Sequence, residues 1–338
     1  MKHIKQITVT VLAALVWWQP RASAQTQTPA VPTPAELAKA LGFTAAEIAQ
    51  IEVGEIVSKD LKEASDKELA GVVAVFFKKP VGELVESALQ GKTLESDKRI
   101  QAFRGWAPDA SADEVFAGLG LEPSESDEAK AFRGASAGEK LNLSTSEIAQ
   151  FRQVGREPKA LDAQLQAMLR ARYEAYRQSG LKGIVLYARG GGKTASPGNE
   201  LALAIRETMP MARRQDYFQA LLDYPANPLP AVEHRFYWFK QEVEGRPTFI
   251  LAHRASRQSA NAALLTEEQY YVGHSYNSNL VVAGGLQVQG GTLVFYINRT
   301  FTDQVTGFAS GLRHTIGRGQ MLSEVAAHLQ QVRGQLEQ

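Results

Sequence analysis

Four residues carry the side chains best suited to hold a ligand: His253, His274, Tyr271 and Arg299. His253 closes the apolar run Phe249-Ile-Leu-Ala-His, and His274 follows Tyr270-Tyr-Val-Gly. An imidazole at such a position can donate or accept a hydrogen bond and titrates near neutrality. Arg299 offers a planar fork for an anionic headgroup, while Tyr271 and the two histidines offer contacts to neutral oxygens. A structural hydrogen-bonding role for each histidine is the simpler alternative.

Three catalytic patterns are present in outline and fail in context. Gly134-Ala-Ser136-Ala-Gly138 fits the spacing of a nucleophile elbow, which needs a buried strand before the serine and a helix directly after it. Here Ser126 to Ala131 is charged and helical in pattern, so a flexible turn is expected. Gly192-Lys193-Thr194 ends like a phosphate loop, yet Tyr187 stands where the motif requires glycine. His234, His253, His274, His314 and His328 include no H-x-x-x-H pair, and the chain has no cysteine to complete a zinc site. Carboxylates are scarce in the strand-like segments, where Glu267, Glu268 and Asp303 are the main ones, so nothing demands a two-carboxylate mechanism. No metal or other cofactor is expected.

The elements that must position these residues follow from periodicity. From Glu233 to Thr300 the pattern has a period of two, with five strands and bends at Gly245, Asn261, Asn277 and Gly290-Gly291. Short connections imply antiparallel neighbours. A long helix then follows, with Leu312, Ile316, Leu322, Val325, Leu329 and Val332 as its expected apolar face. Earlier, Leu69 to Lys79 reads as a buried strand ended by Pro80, and Val81 to Leu89 as a helix. Gly54 to Lys62 and Gly183 to Tyr187 read as strands. Residues 158–179 form an amphipathic helix stopped by Gly180, and 199–224 a helix interrupted near Pro210. Thr44/Glu47 and Ser144/Glu147 have the spacing of capping boxes. Residues 92–143 are polar, with short helical pieces only.

Charge divides the chain. Residues 25–157 carry 15 basic and 22 acidic side chains; residues 158–338 carry 19 basic and 14 acidic. After Lys240 every cation is arginine. Two expectations follow: complementary surfaces that dock the halves, or an anionic ligand met by the second half.

The first 24 residues have the three parts of a secretory signal peptide. Lys2, His3 and Lys5 precede the uncharged run Ile7 to Trp18, and Ala22-Ser23-Ala24 supplies a small-residue cleavage site. The run is too short to span a bilayer, which takes about 20 residues. The expected product is exported to the periplasm or beyond, with no transmembrane segment. Residues 25–34 read as a Pro/Thr linker, 35–157 as a partly irregular α/β portion, and 158–338 as helices followed by sheet and C-terminal helix.

Glu68 to Val85 resembles the first strand and following helix of the START-like, helix-grip superfamily. Thr292 to Thr300, with the long helix from Gly311, resembles that superfamily's last strand and gripping helix. The resemblance implies a curved sheet closed by a helix around an apolar cavity for a lipid or other hydrophobic ligand. It brings no catalytic motif. The expected fold is α+β, an antiparallel sheet gripped by a long C-terminal helix with an added helical portion. The expected function is non-enzymatic binding of a hydrophobic, amphipathic or anionic small molecule or lipid, with no nucleic acid. Two alternatives stand beside it: an envelope hydrolase or isomerase built on His253 or His274, and a protein acting through its surface.

Overall fold

A computed structural model describes residues 32–212, 215–307 and 309–338. Residues 1–24, read above as a signal peptide, and most of the expected linker lie outside the described residues. The first helices, α1 (Pro34–Ala40) and α2 (Ala45–Glu52), each start on a capping box, Thr33/Glu36 and Thr44/Glu47. In each, the threonine hydroxyl accepts from a helical N–H while the glutamate carboxylate accepts from the threonine N–H, satisfying two orphan donors. There follow β1 (Val57–Asp60), β2 (Glu68–Phe77), α3 (Val81–Leu89), α4 (Lys92–Glu95) and β3 (Ile100–Trp106). The helices α5 (Ala112–Phe116), α6 (Ser126–Arg133), α7 (Thr145–Gln153) and α8 (Pro158–Ser179) come next. A two-residue ladder, β4 (Tyr187–Ala188) with β5 (Thr194–Ala195), leads to α9 (Pro197–Ala212) and α10 (Gln215–Leu222).

Four consecutive hairpins then run through β6 (Glu233–Val243), β7 (Arg246–Ser259), β8 (Ala262–Val272), β9 (Ser278–Val288) and β10 (Gly291–Phe301). The chain ends in α11 (Ser310–Leu336). The main sheet is antiparallel throughout, in the order β1-β2-β10-β9-β8-β7-β6-β3. The front of the chain supplies both edges and the back the centre, so the two portions share one sheet.

Charge reinforces that union. Glu147–Arg172 (2.6 Å), Glu125–Lys240 (3.0 Å), Glu128–Arg246 (2.9 Å) and Glu68–Arg299 (2.7 Å) all pair an acid of the front with a cation of the back. These are the complementary contacts expected from the split in composition.

One face of the sheet is filled. Phe236, Leu251, Leu280, Leu293 and Phe295 pack against a helical layer that includes Leu165, Leu169, Tyr173, Leu201 and Phe218. The opposite face carries α11 and α3–α4. Val73, Val75, Phe77 and Val294 meet Leu322, Leu329 and Val332 of α11. Leu94 joins Tyr237, Phe239, Ile250 and Val272 further across. Gly71 lets α11 sit close to β2: a Cβ there would lie 2.5 Å from Leu322 Cδ2.

Three expectations are corrected. Gly183 to Tyr187 is not a strand; only Tyr187–Ala188 pairs, after a 3-10 turn at Gly180–Gly183. A Cβ at Gly180 or Gly183 would run into the carbonyl oxygen of Tyr224 or Ala175, so this tight connector requires glycine at both positions. Residues 92–143 are not limited to helical pieces, because β3 pairs with β6 as an edge strand. A register shift between Ile100 and Ala102 breaks the alternation that would have marked it. Leu312 and Ile316 do not join the buried stripe of α11; they are 64% and 60% exposed. At about 100° per residue, Ile316 lies roughly 120° around the helix from Leu322.

Candidate functional site

Between the sheet, α3–α4 and α11 lies a cavity of about 590 Å³. Its floor is the sheet face that α11 covers only in part. Side chains alternate across a strand, so one residue in two points into it.

The floor grades from polar to apolar along the strands. Cross-strand neighbours form successive rows: Gln269, Asn279 and Thr300; then Arg254, Glu267, Val281 and Asn298; then Leu265, Ala283 and Tyr296; then Ala263, Gly285 and Val294. Val81, Leu84 and Val85 of α3, with Val325, Leu329 and Val332 of α11, enclose the apolar end.

The charges at the polar end are committed to one another. Arg254 Nε donates to Glu267 Oε2 at 2.6 Å, and its guanidinium lies 4.5 Å from the centre of the Tyr237 ring. Glu267 Oε1 accepts from Gln269 Nε2 at 2.8 Å, and Gln269 Oε1 accepts from the Tyr276 hydroxyl at 2.7 Å. Arg99 grips Asp97 through Nε (3.0 Å) and Nη2 (2.7 Å) and reaches Glu324 through Nη1 (2.9 Å). Burial pushes the Asp97 carboxyl up, but the bonds from Arg99 outweigh it and hold the group below its usual range. Burial lowers His328, whose Nδ1 sits 4.0 Å from Asp97 without a hydrogen bond.

Uncharged groups are less committed. The Tyr296 hydroxyl makes no hydrogen bond to a described residue, although it lines the cavity. The Thr300 hydroxyl lies 3.2 Å from Asn279 Oδ1 and 3.0 Å from Asn298 Oδ1 and shares its one proton between them, while the amide N–H groups of both asparagines donate to no described residue.

None of the four residues singled out in the sequence lines this cavity. Arg299 is one position out of phase with Asn298 and Thr300 and points to the filled face. There it donates to Glu68 Oε1 (2.7 Å) and Thr208 Oγ1 (3.1 Å), and both members of the ion pair are almost wholly buried. Tyr271 lies 4.2 Å below the Arg172 guanidinium, which Glu147 holds in turn. His274 bonds Thr248 Oγ1 (2.6 Å) and Ser275 Oγ (2.7 Å), and burial lowers it to about 4.

His253 belongs to a buried chain. Its Nε2 meets His234 Nδ1 at 2.9 Å and its Nδ1 meets the Tyr176 hydroxyl at 2.9 Å; that hydroxyl donates to Glu268 Oε2 at 2.7 Å. Burial lowers His253 well below its usual value and raises Glu268 to about 7. Both imidazoles proposed for proton transfer are thus 1% exposed and occupied by protein partners.

The sequence reading did not single out Arg254, Tyr296 or Asn298, and it named Glu267 only among the strand carboxylates. Two of them stand beside a residue that it did single out: Arg254 follows His253, and Asn298 precedes Arg299. The available signal was parity: once one residue of β10 is assigned to a face, all the others follow. Comparison with protein-family models, with curated proteins and with solved structures gave no match.

Proposed function

We propose that this is an exported protein that binds an amphipathic ligand in the cavity between the sheet, α3–α4 and α11, without transforming it. The observation that carries this reading is the cavity itself. Its roughly 590 Å³ falls in the range of small-molecule sites, about 300–1,000 Å³, and its lining grades from apolar to hydrogen-bonding along the strands. A sheet closed by its C-terminal helix around such a space accords with the helix-grip resemblance. The burial of His253 and His274 weighs against a hydrolase or isomerase built on either. Export rests on the signal-like residues 1–24.

Native mass spectrometry of protein purified without detergent tests the reading. A single adduct of lipid-like mass is expected, released when the protein unfolds and absent from Ala283→Trp, whose indole would occupy the cavity floor. An adduct retained in that variant places binding elsewhere and overturns the proposal.

A further inference from the structure

We infer that the ligand's polar end is uncharged and accepts hydrogen bonds, as a hydroxyl, ester or amide head does. This rests on the cavity reading and adds the class of head group that the cavity takes.

The polar groups that line the cavity divide into paired and free ones. Arg254 is paired with Glu267, and Arg99 with both Asp97 and Glu324. An anionic head would have to take one of these guanidiniums from its carboxylate. Glu267, 7% exposed, would then be left as a buried charge without its partner. Separating a buried pair in this way is costly. The cavity margin also carries Glu242 and Glu244, which oppose an approaching anion. A cationic head meets the mirror-image problem inside, because the buried carboxylates Asp97 and Glu267 already hold their arginines. Beyond that margin, either kind of charge would enter a desolvated site whose arginines and buried carboxylates are already paired with one another.

An uncharged head meets neither cost. The Tyr296 hydroxyl and the amide N–H groups of Asn279 and Asn298 face the cavity with donors unspent. Tyr296 and Asn298 are two residues apart on one face of β10, and Asn279 is across the ladder from Thr300 on the same face. Together they make a donor-rich patch between the ion pairs and the apolar end. A polar head placed there leaves its hydrocarbon to run over Ala283 and Val294 toward α3.

Three ligands of one chain length separate the possibilities: 1-monododecanoylglycerol, dodecanoate and dodecyltrimethylammonium. Each is titrated below its micellar concentration by isothermal calorimetry at pH 7.5. The glyceride should bind at least tenfold more tightly than either ion. Tyr296→Phe should weaken the glyceride about fivefold, the size of one lost hydrogen bond, and leave the two ions unaffected. Asn298→Ala should act in the same direction, with circular dichroism confirming that both variants fold. Equal or tighter binding of dodecanoate or of the ammonium overturns the inference while leaving the cavity reading intact. So does a Tyr296→Phe variant that binds the glyceride as wild type does. Absence of binding by all three overturns the cavity reading and this inference with it.

Discussion

The two faces of the sheet are built by the same strands and solve different problems. On the filled face, Phe236, Leu251, Leu293 and Phe295 interlock with the helical layer, and Arg299 among them is paired with the distant Glu68. On the other face, α11 is seated at β2 by Gly71 and α3–α4 approach from across the sheet, leaving a space between them. The filled face anchors the strands along their length, and its counterpart is packed only where α11 and α3–α4 reach it. A cavity of this size can persist because the strands beneath it are anchored from the other side.

Truncation should separate the faces most strongly. Phe295→Ala on the filled face should cost about 3–5 kcal/mol, whereas Val294→Ala beside it, bordering the cavity, should cost about 1 kcal/mol. Urea unfolding of the two variants checks this, and equal losses would break the contrast. Next comes the buried pair. Arg299→Met alone should cost about 3 kcal/mol, because it strands Glu68, and Arg299→Met with Glu68→Leu should recover most of that loss. A double variant no more stable than the single one would show that the ion pair is needed as such.

The smallest effect depends on pH. Glu268 has a folded value of about 7 against an ordinary 4.5, so the folded state binds the proton more tightly. The stability this contributes is full below pH 4.5 and is lost as pH rises toward 7. His253 is lowered, so its contribution runs the other way: full above pH 6.5 and lost as pH falls below it. Glu268→Gln should therefore be more stable than wild type at pH 8, by at most about 3 kcal/mol, with the gap closing by pH 4.5. Melting curves of both proteins across that range decide it, and a constant gap would show that Glu268 does not titrate there.

Much of the framework was legible in the sequence. The capping boxes at Thr44/Glu47 and Ser144/Glu147 form as their spacing requires, and the turn residues from Gly245 to Gly291 lie at or between the ends of the five central strands. The site was less legible, for two physical reasons. Strands covered on both faces lose the alternation that tells inside from outside, as in Leu280-Val-Val-Ala. Arg299 also looked free for a ligand because its partner, Glu68, is 231 positions away in the chain. A buried charge announces itself in sequence, but its partner does not. The unspent donors of Tyr296 and Asn298 matter only because nothing opposite reaches them, and sequence carries no record of empty space.

The central claim is that the partly covered face receives a ligand. Titration with the neutral fluorescent probe N-phenyl-1-naphthylamine, on wild type and on Ala283→Trp, tests it most directly. The account predicts saturable fluorescence enhancement at one site in wild type. It predicts at least tenfold weaker binding in the variant, at an unchanged melting temperature. Equal probe affinity in the two proteins would contradict it.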